Sequence, residues 1–458
     1  MQARLDAIRP EHVRPGPQGP EIHGQASDTL RAFALIEAVE NGTTKQRRDY
    51  QQERIAWLLD HARVHSRFWA GRIPAGTPAL RRLPILRKAE LRAQVATEGP
   101  LPVPPEHGAV GVAHTSGSTA EPLRLHVTLL NGHYNEARLA YDDVTGGRDL
   151  TLPFTVMRST FKTVRGFDHW PTMTGEIWRT GPARGLPIPG LGNAQTVEEF
   201  AARVLDEPLG HFTTMPSLLA AVLDAVENGA PRPEPLGEVL PYGETVWPGL
   251  RERTRRVLGM PIVDRYSCEE LGPIAFQCPA LETHYHVASS NLLVESVDDR
   301  GRTAADGRPG NLLLTGLNAV ATPLLRYAIG DMARLLPRCA CGHGGQALTD
   351  LRGRRRALLR LPDGSRRLWH MGSTGSAAWL AIAPVREVRL IQTGARALVA
   401  EVSAARALTE DDHARLAAQL RAETSDGFAV TVRQVERVDW GRGGKRQVVV
   451  NLLDDEGA

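Results

Sequence analysis

His114-Thr115-Ser116-Gly117-Ser118-Thr119-Ala120-Glu121-Pro122 is a run of hydroxyls and small residues between two segments, Val110–His114 and 125–128, that read as strands. A loop of this composition lets backbone N–H groups and hydroxyls wrap phosphate oxygens at close range, because no bulky side chain blocks the approach. It is not a Walker loop, since no Gly-Lys-Ser/Thr follows, and a polar hairpin accounts for the same residues. Downstream, helical patterns over 201–205, 217–227 and 247–258 alternate with strand-like segments at 261–263, 291–297 and 311–315. This alternation predicts an α/β body.

Upstream, residues 1–25 are rich in Pro, Gly and charge without periodicity and read as a flexible arm. Apolar residues recur at helical spacing from 28 to 68, giving two helices broken at Asn41-Gly42, and a Pro-rich stretch follows with one short helix over 88–96. The last hundred residues read as strands 387–392, 397–402, 429–435 and 447–452 around an amphipathic helix 409–424. The expected organisation is an arm (1–25), a large N-terminal domain of several subdomains (26–354) and a small mobile α+β lid (355–458). No internal repeat is found.

A chain of 458 residues with 42% apolar and 23% charged side chains has ample length to bury a core, which excludes wholesale disorder. Its 55 basic and 52 acidic residues leave a net charge of only +3, too even for a dedicated nucleic-acid binder. The Arg cluster at 352–356 reads as a solvated hinge. No apolar run approaches the ~18 residues of a membrane span, and the first residues are charged without an apolar signal core. The expectation is a cytoplasmic protein with no membrane or nucleic-acid partner. Only four lysines occur (45, 88, 162 and 445), so a lysine in a suggestive place carries weight.

Three further segments carry chemistry. In Asp264-Arg265-Tyr266-Ser267-Cys268-Glu269-Glu270, a carboxylate near a strand end could hold Mg²⁺ while the aromatic ring packs on a base; a solvated acidic turn fits equally. In Arg326-Tyr327-Ala328-Ile329-Gly330-Asp331, an Asp after Gly can accept two hydrogen bonds from a ribose diol, although Gly-Asp turns are common. Gly441-Arg442-Gly443-Gly444-Lys445-Arg446 is either a flexible approach for a functional lysine or a hairpin with a solvated cation. The four cysteines do not make a disulfide framework. Cys278, His286, Cys339 and Cys341 supply a sufficient tetrahedral Zn²⁺ set, with His284 and His343 as rival ligands and free thiols as the alternative.

The order of these motifs resembles the adenylate-forming (acyl-CoA synthetase/ligase) superfamily, and within it the phenylacetate–CoA ligase family with its CapK-like branch. Supporting details are Leu83-Pro84-Ile85-Leu86-Arg87-Lys88-Ala89-Glu90-Leu91-Arg92, Pro216-Ser217, Gly243-Glu244, and Cys339-Ala340-Cys341-Gly342 ahead of Gly353-Arg354. The resemblance implies that Thr115, Ser116, Gly117, Ser118 and Thr119 grip ATP phosphates, that Gly243 and Glu244 run beside adenine, and that Tyr266 stacks on it. It implies Mg²⁺ on Glu270, ribose on Asp331, a hinge Arg at Arg354 and a catalytic lid lysine at Lys445. The family has a comparable Cys/His arrangement, with a Glu nine residues after the His, as Glu295 follows His286. Two positions depart from the family pattern: Ser267-Cys268-Glu269 within the Tyr-Gly-x-Ser/Thr-Glu motif, and Ala120 for the Gly after the phosphate-loop Thr.

The implied reaction is ATP-dependent adenylation of an aryl or short acyl carboxylic acid with pyrophosphate release, then transfer to a thiol, by family default CoA. Alternatives are an amine, hydroxyl or carrier-protein thiol as acceptor, or a non-carboxylate such as nitrite as substrate. A non-catalytic nucleotide-binding descendant is the rival of another class. His114, Tyr141, Phe212, Met215 and Tyr242 are the expected pocket walls, and a homodimer is among the expected assemblies.

Overall fold

A computed structural model of the chain describes residues 13–16, 19–22, 27–74, 80–114, 123–149, 152–158, 183–187, 201–202, 204–206, 208–234, 236–244, 246, 249–305, 307–352, 358–363, 366–369, 378–439 and 448–453. Within the expected arm, Val13–Gly16 and Gly19–Ile22 pair antiparallel.

The two helices expected over 28–68 are Ser27–Asn41 and Thr44–His65, and the break is enforced by a capping box in which Thr43 and Gln46 bond reciprocally. A helix that the sequence reading passed over, Leu129–Thr145, packs its Ala137, Ala140 and Tyr141 against Ala32, Phe33 and Ile36 of the first helix. Its buried face also carries Arg138, Asp142 and Asp143. Those paired charges hide the apolar periodicity.

The α/β alternation produces a parallel four-stranded sheet in the order Ala183–Pro187, Phe154–Arg158, Gly210–Thr214, Leu236–Pro241. The expected strand at 261–263 extends it as a single bridge, with Ile262 parallel to Val239. The helix Pro216–Glu227 starts with Pro at its first turn, where no N–H is needed, and buries Leu218, Leu219, Val222 and Leu223 against the sheet. The next helix begins at Leu250 rather than 247, because Gly249 adopts φ +83 immediately before it.

A second, antiparallel sheet of seven strands runs in the order Leu292–Val297, Gly310–Gly316, Tyr327–Leu336, Ala347–Thr349, His284–Val287, Gly272–Gln277, Arg265–Cys268. The C-terminal segment forms a four-stranded sheet of its own, Ala429–Gln434, Ala397–Ala404, Val385–Gly394 and Val449–Asn451, covered by the helix Glu410–Glu423. Its core is a separate cluster that includes Trp369, Trp379, Leu390, Val402, Leu416 and Leu420. The indole N–H groups of both tryptophans donate to Glu423, at 2.9 and 3.0 Å. The expected domain boundary, 354/355, lies outside the described residues. No helix among the described residues is long and apolar enough to cross a membrane.

Candidate active site

Ligands of open parallel sheets bind beyond the carboxyl ends of the strands. Here those ends deliver several of the residues singled out above. Strand Gly210–Thr214 ends at Met215, strand Leu236–Pro241 runs into Tyr242, Gly243 and Glu244, and the bridge at Ile262 leads into Asp264–Tyr266. Gly243 has φ +77, a left-handed conformation that lets the backbone turn sharply past the strand end.

Tyr266 lies in the edge strand Arg265–Cys268 and is almost wholly buried. Its phenol donates to Asp331 Oδ2 at 2.6 Å. Burial, and then the facing Asp331 carboxylate, push that phenol well above its usual range, so it remains a donor. Glu270 is half-buried in the turn after the strand, where its Oε1 accepts from the Tyr327 phenol at 3.1 Å; Glu269 is exposed. The segments bearing Tyr266 and Glu270 on one side and Tyr327 and Asp331 on the other, far apart in sequence, are therefore joined through these contacts. Asp264, the other acidic candidate for a cation, is occupied otherwise. Its Oδ2 accepts from Tyr285 at 2.7 Å and lies 3.7 Å from Arg251, and burial raises its pKa. Cys268 sits where the family pattern has a variable residue. Burial, and then Glu270, push its thiol far up, which makes it a packed thiol rather than a nucleophile.

The segment bearing Tyr327 and Asp331 is anchored at its start. Arg326 is held at φ +53, a conformation that side chains other than Gly rarely adopt. Its guanidinium is buried, pairs with Glu295 at 3.0 Å and donates to the carbonyls of Arg81 and Leu83. Its N–H donates to Thr315 Oγ1 at 2.9 Å, and Leu86 bridges Tyr327. The Leu83–Arg92 motif thus serves to brace this loop. Glu295, noted in sequence for its spacing from His286, pairs with Arg326 instead. Glu295→Gln keeps the volume and an acceptor but removes the charge. We expect a loss of about 2 kcal/mol, read as a lower urea midpoint for the large region.

A buried ionic cluster, missed in sequence, supports the strand carrying Tyr266. Arg265 contacts Asp142 at 2.9 Å and Asp143 at 2.5 Å, while Arg148 contacts Asp142 at 2.8 Å and Asp143 at 3.3 Å and also bonds Glu238. It ties the end of helix Leu129–Thr145 to both sheets. The adjacent pair Asp142-Asp143 was its one sequence signal, and only the fold supplies the partners.

The expected pocket residues divide. Phe212 and Met215 are fully buried in the core of the parallel sheet, with Tyr242 packed against it. Tyr141 packs edge-on against Phe33, centroids 5.8 Å apart, and its hydroxyl reaches Asn41 Oδ1 at 3.4 Å. It belongs to the core of the helical layer, apart from the cluster of the other three. His114 ends the strand Val110–His114; its side chain, like Thr115–Thr119, Arg354 and Lys445, lies outside the described residues.

The cysteine set is brought together. The ligand atoms of Cys278, His286, Cys339 and Cys341 all lie within 4.8 Å of one another. Cys278 and Cys339 sulfurs are 3.9 Å apart and Cys341 Sγ is 3.2 Å from His286 Nε2. A tetrahedron with bonds of ~2.3 Å has edges of roughly 3.8 Å, close to these spacings. The rival His343 instead stacks on His286, ring centroids 4.1 Å apart, and His284 contacts Thr283. Burial, and next His343, bring His286 down to about 4, leaving the neutral imidazole that a metal requires. Burial pushes the Cys278 thiol up to about 11, an effect that a cation at the centre would reverse. Four protein ligands would fill a tetrahedron, which suits a structural metal rather than a catalytic one.

Solved structures place this architecture. A 2-hydroxyisobutyryl-CoA ligase in the postadenylation state, in complex with 2-HIB-AMP, superposes with a TM-score of 0.65 at 17% identity, covering 87% of this chain and 88% of that one. An anthranilate CoA ligase in complex with anthranoyl-AMP gives a TM-score of 0.51 at 15% identity, over 74% and 65%. The chain has the fold of the adenylate-forming ligases. In sequence it is similar to phenylacetate–coenzyme A ligases: that of Pseudomonas putida is 24% identical over 336 residues, 67% of this chain and 71% of the relative. That of Thermus thermophilus is 25% identical over 352 residues, 73% and 72%. No family model matches the chain.

Proposed function

We propose that the protein is an AMP-forming ligase that activates a carboxylic acid with ATP and passes the acyl group to a thiol, with CoA as the acceptor its relatives' names suggest. The observation that carries this reading is the convergence of Tyr266, Glu270, Tyr327 and Asp331 on this fold, with the Tyr266 phenol donating to Asp331 and the Tyr327 phenol donating to Glu270. The acid's carboxylate oxygen attacks the α-phosphorus of ATP, an acyl–O–P bond forms, and the bond to pyrophosphate breaks. Negative charge grows on the departing pyrophosphate. Catalysis is therefore mainly positioning and charge stabilisation.

In this reading Tyr266 offers its ring to adenine beside Gly243 and Glu244, and Asp331 accepts from the ribose hydroxyls. Thr115–Thr119 donate to the phosphates, and Arg354 lies at the hinge between the large domain and the lid. Lys445 brings an ammonium between the α-phosphate and the acid. A Mg²⁺ ion held by Glu270 and the phosphates would supply positive charge against the leaving group. Lid rotation then admits the thiol, which takes the acyl group and releases AMP.

Acid-dependent exchange of labelled pyrophosphate into ATP, over a panel of aryl acids, short acyl acids and nitrite, tests the reading. Exchange with at least one acid is expected, and adding CoA should convert that acid to a thioester. MgATP binding without exchange for any panel member would favour a non-catalytic descendant. Thioester formation only on a carrier protein, or transfer only to an amine or hydroxyl, would replace CoA as acceptor.

The cysteine cluster is read as a structural Zn²⁺ site, because its donor set is soft, four in number and preassembled. Protein purified without chelator should hold about one zinc per chain, with X-ray absorption giving sulfur distances near ~2.3 Å. Cys278→Ser should release the metal and lower the melting temperature of the large region. Metal-free protein of unchanged stability would contradict the assignment.

A further inference from the structure

Two segments of the site share one pattern: a tyrosine followed four residues later by a carboxylate, Tyr266 with Glu270 and Tyr327 with Asp331. The bonds between them are crossed. Tyr266 donates to Asp331 at 2.6 Å, and Tyr327 donates to Glu270 at 3.1 Å. The two strands involved, Arg265–Cys268 and Tyr327–Leu336, are separated by three others in the hydrogen-bonded order of the sheet. Ladder pairing therefore does not set the gap between the two carboxylates. The crossed phenols span it directly. Both tyrosines are buried, so their rings are fixed by packing, Tyr327 in the cluster around Leu86, Leu324 and Leu325. The Arg326 anchor fixes the backbone immediately before Tyr327. A carboxylate has about four acceptor sites, so a phenol bond can orient such a group without filling it.

We propose that Tyr266 and Tyr327 are reciprocal positioning residues that hold Asp331 and Glu270 at one fixed separation, so that the ribose and the divalent cation of a nucleoside triphosphate bind as a coupled unit. This rests on the adenylating reading above. Each phenol deletion should act on the function of the carboxylate that it holds, and not on the one that follows it in sequence.

The test is calorimetric binding of ATP, in Mg²⁺ and in EDTA, to the wild type, Tyr266→Phe, Tyr327→Phe and the double variant. Phe keeps each buried ring and removes only the hydroxyl. Tyr327→Phe should weaken the Mg²⁺-dependent part of ATP binding about tenfold and leave binding in EDTA unchanged. Tyr266→Phe should weaken binding in both conditions, and should shrink the penalty for 2′,3′-dideoxy-ATP relative to ATP. The double variant should lose less than the product of the single losses, because either deletion already frees the gap. Wild-type behaviour in both single variants would overturn the proposal. So would equal losses with and without Mg²⁺ in Tyr327→Phe accompanied by a lower melting temperature, which would assign the phenol to packing. A wild-type protein that binds no MgATP would overturn the functional reading itself, and this inference with it.

Discussion

Glu270→Gln is expected to lower acid-dependent pyrophosphate exchange by about 10²–10³-fold, the range seen when one preorganised charge-stabilising group is removed. The substitution isolates charge. Gln has the same volume, and its carbonyl oxygen can still accept the Tyr327 hydroxyl that bonds Glu270 at 3.1 Å. The crossed linkage survives while the negative charge offered to a cation is lost. Raising Mg²⁺ should recover only part of the rate, and circular dichroism should match the wild type. Near-normal exchange across Mg²⁺ concentrations would move the role to Glu269. That residue is exposed, whereas Glu270 is half-buried, and this is why the prediction falls on Glu270.

Lys445→Ala separates the two half-reactions. The residue lies in Gly441-Arg442-Gly443-Gly444-Lys445, outside the described residues, and it is the only lysine after Lys162. In the proposed reaction its ammonium acts only when placed between the phosphate and the acid. In a water-poor cleft such stabilisation is worth ~3–4 kcal/mol, so adenylation should slow by about 10²–10³-fold. Transfer from a presynthesised acyl-adenylate to the thiol should persist, because in the proposed cycle lid rotation would by then have carried Lys445 away. A solvated hairpin cation predicts that both halves are unchanged. Equal loss of both halves, with a lower melting temperature, would indicate a misfolded lid.

The legible parts of this chain are those where local chemistry decides the structure. The break between the first two helices is a capping box, and the C-terminal strands alternate with a helix that opens on its own capping box, Thr409 with Asp412. The cysteine cluster was legible because few residue types can ligate zinc, and four of them stood at workable spacings. What escaped is non-local. Helix Leu129–Thr145 was hidden because Arg138, Asp142 and Asp143 are buried with partners on other elements, Glu40 and Arg265 among them. The strand Gly272–Gln277 carries little alternation of its own, and His284–Val287 is only four residues long; both are defined by pairing across the seven-stranded sheet. The ring contact of Tyr141 with Phe33 was not legible either, because the two are far apart in sequence. The role of Tyr327 was likewise invisible, since nothing in Arg326-Tyr327-Ala328 points to Glu270.

In the proposed adenylation an acid's own carboxylate oxygen attacks the α-phosphorus of ATP. This step is tested most directly by supplying the acid that supports pyrophosphate exchange with ¹⁸O in its carboxylate, completing the turnover with CoA, and measuring the AMP by mass spectrometry. One ¹⁸O should be transferred to each AMP. Product AMP without label, or label recovered in inorganic phosphate alongside ADP, would contradict it.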